Sequence, residues 1–496
     1  MKNFSILSID QSTSATKAVL FDRNAAVVSR LSKEHAQIYP RAGWVEHEAE
    51  EIMANTIGVI GEIASGQPDM AIAALAITNQ RETAVVWDRK TGKPVYNAIV
   101  WQCNRGAERC DRLRQDGWEE RIREKTGLII DPYFSATAIS WILDNVPGAR
   151  EKAGRGELLF GTTDSWLIWN LTGGRVHATD YSNACRTMLF NINTLSWDRE
   201  IMDELGIPLS MAPEVCFSDH LFGETTAAGI FSSPVPITGV MGDSHAALFG
   251  QLCFSPGMTK ATYGTGSSIM MNIGTKPLPA PRGLVTSVGY GMKGSVAYVF
   301  EGNIHSTGSA IKWLRDDLQL IGSVEETSEL AASVDSTDGT YLVPAFAGLG
   351  APYWNHRARA MICGMTFRTR KAHLVRAALE SIAYQVKDLV DLMKEGAGID
   401  EIELRVDGGP VKNDFLMQFQ SAIIGGKINR SFTSEGSALG VALAAGLSAG
   451  WWDTTAELEK LRSGEVIESS MPPEVVSHLY GGWKRAVRLV MVGGAE

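Results

Sequence analysis

Two hairpins with hydroxyl-rich turns, roughly half a chain apart, constrain the fold more than any other feature of the sequence. In the first, the strand-like segments 4–10 and 17–22 flank a polar turn of Gln, Ser and Thr residues. In the second, segments 259–263 and 269–272 flank the turn Gly264-Thr265-Gly266-Ser267-Ser268. Two strands joined by a short polar turn are a strong hairpin signal. The repetition predicts a duplicated fold with a ligand between the copies, and chance recurrence of the hairpin is the alternative.

Strand and helix signals alternate through the rest of the chain, which is typical of an α/β fold. We place a domain boundary near residue 250, so that residues 1–250 and 251–496 form two domains. Strands are predicted at residues 72–78, 159–162 and 403–406 and in a segment that ends at Gly242, and helices at 164–170, 244–251 and 372–393.

The composition is that of an ordinary globular protein, with 45% hydrophobic and 21% charged residues in a chain of 496. This balance excludes wholesale disorder, and the formal net charge of −10 argues against a nucleic-acid partner. The sequence has neither an apolar run of membrane-spanning length nor the apolar region and cleavage site of a signal peptide. The six cysteines are scattered, with no CxxC pair, as in reduced cytosolic proteins. We therefore expect a cytoplasmic protein with no membrane partner.

Asp10 stands at the end of the first predicted strand, and the hydroxyls of Thr13 and Ser14 follow it. A carboxylate at a strand end can hold Mg²⁺ while the following loop cradles phosphate oxygens. Lys17 would add positive charge for those phosphates. The alternative is an ordinary hairpin in which Asp10 caps the turn.

Two glycine-containing motifs in the second half add candidate nucleotide contacts. The glycines of Tyr263-Gly264-Thr265-Gly266 allow positive φ and a close approach of backbone to a ligand, and Thr265 offers a donor. The motif Asp407-Gly408-Gly409 follows a strand, with Asn413 four residues after Gly409, so that a flat ring would lie against bare backbone. Each motif is also compatible with a simple turn.

Candidate residues for an acceptor substrate lie at two other strand ends. Asp243 follows a strand and opens a helix, where a carboxylate can take a proton in a cleft, and an N-cap is the alternative. Arg81 and Glu82 follow another strand and offer donors and an acceptor to a polyhydroxylated molecule. Trp101 and Tyr133 would wall such a pocket. The alternatives are a surface ion pair for Arg81 and Glu82 and a core position for Trp101.

In this order the motifs resemble the FGGY carbohydrate kinases, and within that family the members that phosphorylate glycerol. The resemblance covers nearly the whole chain, and its specificity is high because long continuous segments match. The matching segments are Ile38-Tyr39-Pro40, Gly43-Trp44-Val45-Glu46-His47, Ile77-Thr78-Asn79-Gln80-Arg81-Glu82-Thr83, Asn97-Ala98-Ile99-Val100-Trp101-Gln102, Gly348-Leu349-Gly350-Ala351-Pro352-Tyr353-Trp354 and Ala360-Met361-Ile362-Cys363-Gly364-Met365.

The resemblance implies two actin-like, RNase-H-like α/β domains that clamp ATP, Mg²⁺ and the substrate in the cleft between them. Residues 1–250 would carry the polyol site and the first phosphate loop, and residues 251–496 the nucleotide site. The implied site residues are Asp10 and Asp243 for Mg²⁺; Thr13, Ser14, Lys17, Thr265, Gly266, Gly308, Lys312, Gly409 and Asn413 for ATP; Arg81, Glu82, Trp101, Tyr133, Asp243 and Ser244 for the polyol; and Asp243 as the catalytic base.

Several residues at the inferred substrate end depart from the family pattern. Ser244, His245, Ser268, His305 and Ser306 replace the amides, the aromatic ring and the bulky apolar side chains that the pattern has there. They would leave extra room and extra hydrogen-bond partners beside the substrate.

The resemblance implies ATP-dependent phosphorylation of a terminal hydroxyl of a small polyol, foremost glycerol to glycerol 3-phosphate. The alternative substrate is a longer polyol, such as erythritol, threitol or a pentitol, or a small ketose. The non-enzymatic alternative is a nucleotide-gated binding protein with actin-like domains. We expect a homodimer or homotetramer.

Overall fold

The computed structural model of the protein describes residues 3–67, 70–431, 433, 435–461 and 464–493. The N-terminal half begins with an antiparallel hairpin and then alternates strands with helices. Its elements are β1 (Asn3–Gln11), β2 (Ala15–Phe21), β3 (Val27–Glu34), β4 (Glu46–His47), α1 (Ala49–Gly66), β5 (Met70–Asn79), β6 (Ala84–Asp88), β7 (Ala98–Ile99), α2 (Ala107–Gln115), α3 (Glu119–Thr126), α4 (Ser135–Asn145), α5 (Ala149–Gly154), β8 (Leu158–Thr162), α6 (Thr163–Leu171), β9 (Ala178–Asp180), α7 (Tyr181–Ala184), β10 (Phe190–Asn191), β11 (Ser196–Trp197), α8 (Arg199–Glu204), β12 (Glu214–Cys216), β13 (Glu224–Thr225), β14 (Val235–Gly242) and α9 (Asp243–Gly250).

The C-terminal half also begins with a hairpin and contains the longest helix of the described residues. Its elements are β15 (Met258–Tyr263), β16 (Ser267–Gly274), β17 (Val285–Met292), β18 (Ser295–Ile304), α10 (Gly308–Asp316), α11 (Glu326–Ala332), β19 (Tyr341–Val343), β20 (Met361–Cys363), α12 (Lys371–Ala397), β21 (Glu403–Gly408), α13 (Asp414–Ile424), β22 (Ile428–Ser431), α14 (Gly436–Ser448), α15 (Thr455–Leu458), β23 (Gly464–Ile467) and α16 (Pro473–Gly493).

The main sheet of the N-terminal half has the strand order β13-β14-β5-β1-β2-β3. Strands β1, β2 and β3 form an antiparallel meander, while β5 runs parallel to β1 and β14 runs parallel to β5. In this register Gln11 pairs with Asn79, and Asn79 pairs with Gly242. The carboxyl ends of β1, β5 and β14 therefore meet at one edge of the sheet.

The main sheet of the C-terminal half repeats this topology, with the order β17-β18-β16-β15-β21-β22-β23. Hairpin β15–β16 is equivalent to β1–β2, and β21 and β22 continue in parallel from β15 as β5 and β14 do from β1. The two predicted hairpins thus open two copies of one RNase-H-like arrangement. The predicted α/β fold of two like units is confirmed.

Both faces of the N-terminal sheet are covered by helices, which explains the near-continuous apolar character of its central strands. Leu7 and Ile9 of β1 pack with Ile52 of α1 on one face. On the other face Ile6 packs in a cluster with Val441 of α14, a helix of the C-terminal half. Because α14 also contacts α9, β14 and β5, it joins the two halves through apolar packing.

A smaller sheet of order β4-β7-β6-β8 lies in the N-terminal half. Strand β7 ends two residues before Trp101, and β6 begins two residues after Glu82, so this sheet positions two of the predicted pocket residues. In the part of the chain that the structure describes, every helix is too short or too polar to cross a membrane.

Candidate active site

The carboxyl ends of three neighbouring strands bring several predicted site residues together. Asp10 is the penultimate residue of β1, Arg81 follows β5 by two residues, and Asp243 begins α9 directly after β14. Arg81 Nε lies 3.2 Å from Asp243 Oδ1. The negative charge of Asp243 also raises the pKa of Asp10. Two carboxylates and one guanidinium therefore share the edge where α/β sheets commonly bind ligands.

Asp10 is a largely buried carboxyl, with 14% of its side chain exposed. Burial raises the pKa of Asp10 to about 6, and nearby Asp243 and Glu435 act in the same direction while Lys17 opposes them. A carboxyl of this kind is stabilised in its charged form by a cation placed beside it.

The oxygen donors at this edge fit Mg²⁺, which usually takes one or two protein carboxylates together with phosphate oxygens and water. Asp10 and Asp243 supply two carboxylates. Among the described residues, no group of three or more His, Cys, Asp or Glu side chains could hold a metal ion without other ligands.

The first hydroxyl-rich loop is held in place through Thr13. The indole Nε1 of Trp101 donates to Thr13 Oγ1 at 3.0 Å, and His35 Nε2 lies 2.9 Å from the carbonyl oxygen of Thr13. The backbone N–H of His35 donates to the carbonyl of Ser14 at 3.2 Å. Trp101, which would form a wall of the predicted polyol pocket, thus makes a direct hydrogen bond to the predicted phosphate loop.

Lys17 lies beside this loop, but a carboxylate from the other half holds it. Its Nζ is 2.7 Å from Glu435 Oε2 and 3.9 Å from Asp10 Oδ2, and Arg30 also pairs with Glu435 at 3.1 Å. A phosphate group at Lys17 would compete with Glu435 for the ammonium. Sequence reasoning missed Glu435, because a partner 418 residues away leaves no local signal.

The second predicted phosphate loop is packed tightly against the start of α10. The N–H of Gly308 donates to the carbonyl of Gly264 at 2.9 Å, and the N–H of Ser309 donates to the carbonyl of Thr265 at 3.1 Å. A Cβ on Gly308 would lie 2.5 Å from Gly264 O, and one on Gly266 would lie 2.3 Å from Ile304 O. Glycine is therefore required at both positions by close backbone approach.

The structure brings the third nucleotide motif close to this loop. Strand β21 pairs with β15 so that Gly408 lies opposite Tyr263, which places Gly409 beside the loop. Asn413 caps α13 by accepting from the N–H of Leu416 at 2.9 Å and donates to Thr327 Oγ1 at 2.8 Å. Lys312 is exposed on α10, one turn after its start.

The predicted pocket residues Arg81 and Glu82 are buried rather than paired on the surface. Arg81 Nη1 donates to Glu301 Oε1 at 2.9 Å, and Glu82 Oε1 accepts from Arg186 Nε at 2.7 Å. Arg186 Nη1 completes the network with Glu301 Oε2 at 2.8 Å. Two arginines and two glutamates therefore form a closed, buried network between the halves.

Arg186 and Glu301 are two further site residues that sequence reasoning missed. Burial opposes the ionisation of Glu301, but the guanidinium groups of Arg186 and Arg81 outweigh it and hold the pKa of Glu301 well below its ordinary value. The available signal was a lone charged residue in an apolar segment, which by itself names no partner. The paired charges fix the orientation of the Arg81 guanidinium toward Asp243.

Glu82 has an unusual backbone conformation with φ of 64°. A non-glycine residue in this region carries strain of about 1–3 kcal/mol and persists where surrounding contacts maintain it. Here the contacts are the Arg186 pair and a hydrogen bond of 2.7 Å from Ser135 Oγ to the carbonyl of Glu82. Such strain is typical of residues whose side chain must point into a site.

Trp101 and Tyr133 form an aromatic corner beside this network. Their ring centroids are 5.5 Å apart in an edge-to-face arrangement, and the Arg186 guanidinium lies 5.9 Å from the Tyr133 ring. Burial, with the charge of Glu82, raises the pKa of Tyr133 well above its ordinary value. The phenol stays protonated and can donate to a ligand oxygen.

The residues that depart from the family pattern lie in two places. Ser244 follows Asp243 on α9, and Ser268 Oγ lies 3.4 Å from Ser244 Oγ. His305 packs against Trp354 with ring centroids 6.5 Å apart, and the carbonyl of Ser306 accepts from Gln385 of α12. Ser244 and Ser268 therefore adjoin Asp243, and His245 is buried two residues after Asp243 on the same helix.

Comparison with known families agrees with this geometry. The profile described as the FGGY family of carbohydrate kinases, N-terminal domain, matches residues 5–250, and that of the C-terminal domain matches residues 259–449. The chain belongs to the FGGY family of carbohydrate kinases.

Curated relatives and solved structures place the chain within this family. The glycerol kinase of Carboxydothermus hydrogenoformans is 53% identical over 486 residues, covering 97% of each chain. Glycerol kinase 2 of Thermotoga maritima is also 53% identical, over 97% of this chain and 98% of that protein. The structure of Plasmodium falciparum glycerol kinase with ADP matches with a TM-score of 0.95 and 38% identity, covering 98% of each chain.

More distant members of the family share the fold. The ligand-bound xylulose kinase of Lactobacillus acidophilus matches with a TM-score of 0.90 at 20% identity, over 99% of each chain. The predicted actin-like architecture is confirmed by these likenesses.

Proposed function

We propose that this protein transfers the γ-phosphoryl group of ATP to a terminal hydroxyl of glycerol, giving glycerol 3-phosphate. The observation that supports this most directly is the Arg81–Asp243 contact at the meeting point of β1, β5 and β14. In this arrangement Asp243 would accept the proton and the oriented guanidinium of Arg81 would lie beside the two proposed phosphate loops. The names of the relatives at 53% identity agree with this activity.

The acceptor would lie among Arg81, Glu82, Trp101 and Tyr133. The guanidinium of Arg81 and the protonated phenol of Tyr133 would donate to substrate hydroxyls, and Glu82 would accept. Asp243 would take the proton from the attacking hydroxyl. Positioning and charge stabilisation supply most of the rate in phosphoryl transfer, so a rigid, charge-paired pocket suits this reaction.

The donor would lie between the two hairpin loops. Thr13, Ser14 and Lys17 would contact its phosphates from the N-terminal half, and Thr265 and Gly266 from the C-terminal half. Gly308, Lys312, Gly409 and Asn413 would meet the remainder of the nucleotide. Asp10 and Asp243 would hold Mg²⁺, which neutralises phosphate charge when bound.

We assign residues 1–250 to a polyol-binding domain with the first phosphate loop, and residues 251–496 to a nucleotide-binding domain. Closure of the two would exclude water and limit wasteful hydrolysis of ATP. We place the protein in the cytoplasm as a homodimer or homotetramer.

The test is ADP formation from ATP and Mg²⁺ with and without glycerol, with the product identified by ³¹P NMR. We expect ADP to appear with glycerol and a matching amount of glycerol 3-phosphate to form. ATP hydrolysis that does not depend on a polyol would instead support the actin-like binding protein that has no acceptor substrate.

A further inference from the structure

A row of polar side chains crosses three strands of the C-terminal sheet beside the acceptor pocket. In the antiparallel register, Thr262 of β15 pairs with Ser268 of β16, and Ser268 pairs with Asn303 of β18. Directly paired residues point to the same face of a sheet. We call Thr262, Ser268 and Asn303 the polar row.

The polar row lies on the face that meets the N-terminal half. Glu301 precedes Asn303 by two residues, so it shares this face, and its carboxylate is bonded to Arg81 at 2.9 Å. Ser268 Oγ lies 3.4 Å from Ser244 Oγ, and Ser244 adjoins Asp243. The polar row is therefore next to the proposed catalytic base rather than on the far side of the sheet.

Several buried polar atoms beside the polar row lack partners. Among the described residues, Thr262 Oγ1 and both ring nitrogens of His245 have no hydrogen-bond partner. Lys260 shares the face of Thr262, and its buried Nζ reaches Ser268 Oγ at 3.4 Å, which is a long hydrogen bond. Burying a polar group without a hydrogen-bond partner is destabilising, so the protein alone does not satisfy the polar atoms of this region.

The imidazole of His245 belongs to the same region. It is fully buried in the second position after Asp243, and the charges of Arg81, Glu301 and Lys260 all act on it. Its two ring nitrogens, unpartnered within the described part of the chain, are therefore buried polar atoms that a ligand hydroxyl could bond.

We propose that the polar row, with Ser244, is an acceptor subsite for hydroxylated carbons beyond the third. The protein would then phosphorylate polyols of four or five carbons at least as well as glycerol. The inference rests on the proposed phosphoryl transfer and names the substrate class of that same site.

The chemistry of the subsite follows from its side chains. Serine and threonine leave room for another carbon, and their hydroxyls, with the amide of Asn303, can pair with each further hydroxyl. The reaction is unchanged: the bond from the γ-phosphorus to ADP oxygen breaks, a bond to the terminal hydroxyl oxygen forms, and Asp243 takes the proton.

The first test measures kcat/KM for glycerol, erythritol, threitol, xylitol and ribitol at one saturating ATP concentration. We expect kcat/KM for at least one longer polyol to equal or exceed kcat/KM for glycerol. If kcat/KM for glycerol exceeds kcat/KM for every longer polyol, the inference is wrong and the proposed function stands. If longer polyols react and glycerol does not, the glycerol assignment fails and the subsite stands. If no polyol reacts, both are wrong.

The second test changes the polar row and follows the ratio of kcat/KM for the best longer polyol to that for glycerol. Ser268→Phe fills the subsite, and we expect the ratio to fall by about tenfold or more, as a lost hydrogen bond and a steric block predict. Ser295→Phe, at an exposed serine that begins β18, is the matched control and should leave the ratio unchanged.

Thr262→Val keeps the proposal testable if Ser268→Phe does not fold. It removes only the hydroxyl, because valine and threonine have nearly the same shape. We expect the same ratio to fall by about threefold to tenfold, corresponding to one hydrogen bond. An unchanged ratio in both Ser268→Phe and Thr262→Val would overturn the proposal.

Discussion

Arg81 shows how one side chain connects the parts of the site. Its guanidinium meets Asp243 at 3.2 Å and Glu301 at 2.9 Å, and its Nε lies 3.9 Å from Glu82. Three carboxylates around it hold the planar guanidinium of Arg81 in one orientation. At the residue scale, the geometry of the acceptor pocket follows from this pairing.

Asp243→Asn keeps the shape of the side chain and the contact with Arg81 but removes proton acceptance. We expect kcat to fall by about 10²–10⁴, which is typical of the loss of a general base. ATP affinity, measured by calorimetry in the presence of Mg²⁺, should remain within about threefold. A kcat within about tenfold of wild type would remove Asp243 from the role of base.

Asp164 supplies a pH test of the stability of the protein. Burial raises the pKa of Asp164 from 3.8 to about 7, so the folded protein holds a proton that the unfolded chain releases at lower pH. The wild-type protein therefore loses stability as the pH rises from about 4 to about 7. Asp164→Asn imitates the protonated carboxyl and should not show this loss.

We expect the melting temperature of Asp164→Asn, relative to wild type, to be higher at about pH 8 than at about pH 5. Differential scanning calorimetry at the two pH values measures this difference. A relative melting temperature that does not change with pH would show that Asp164 is charged in the folded protein throughout.

At the scale of elements, helix α12 is fixed to α16 by one buried carboxylate. Asp388 accepts from the Tyr353 hydroxyl and from Trp483 Nε1, each at 2.8 Å. Its other oxygen pairs with Lys484 at 2.7 Å, and the side chain is fully buried. Apolar contacts hold α12 in the core, while the polar contacts of Asp388 fix the position of α16 relative to α12.

Asp388→Ala leaves two tyrosines, a tryptophan and a lysine without their shared acceptor. A buried donor left without its acceptor costs about 1–3 kcal/mol, and Asp388 serves several such donors, so we expect the free energy of unfolding by urea to fall by about 3 kcal/mol or more. Asp391→Ala on the same helix is the control, because its pair with Lys387 is half-exposed and should contribute less than about 1 kcal/mol. Equal effects of the two variants would contradict the role of Asp388.

At the scale of the whole molecule, polar and apolar contacts join the two halves. The Arg81–Glu301 and Lys17–Glu435 pairs cross between them, and α14 packs on the N-terminal sheet. The polar contacts lie at the proposed substrate sites, and the apolar contact lies behind them. If the proposed substrate sites are correct, ligand binding and the relation of the halves would be linked through the same side chains.

Glu301→Gln tests this link by leaving Arg81 and Arg186 with one fewer negative charge. We expect the protein to lose about 3–5 kcal/mol of stability, as for other broken buried pairs. We also expect the KM for the polyol to rise more than the KM for ATP, because Arg81 loses its fixed orientation. Glu329→Gln, at an exposed position of α11, should change stability by less than about 0.5 kcal/mol. Equal changes in the two KM values would contradict the link.

Local patterns in the sequence were sufficient for the hairpins, the long helix and the residues at strand ends. The hairpins predicted at residues 4–22 and 259–272 are β1–β2 and β15–β16, and the helix predicted at 372–393 lies within α12. These features depend on periodicity and turn chemistry within a few residues. The family resemblance, which rests on continuous motifs, added the roles expected of Arg81, Asp243 and the glycines.

The sequence by itself determined which residues end the strands and which functional groups these residues have. The reason is that hydrophobic alternation and turn residues within a short stretch of sequence mark the end of a strand. Only the tertiary structure decided that Arg186 and Glu301 close the network around Arg81, that Glu435 holds Lys17, and that Thr262, Ser268 and Asn303 form one row. The physical reason is separation along the chain: Arg186 and Glu301 are 115 residues apart. Such partners meet only when the two halves of the chain pack together.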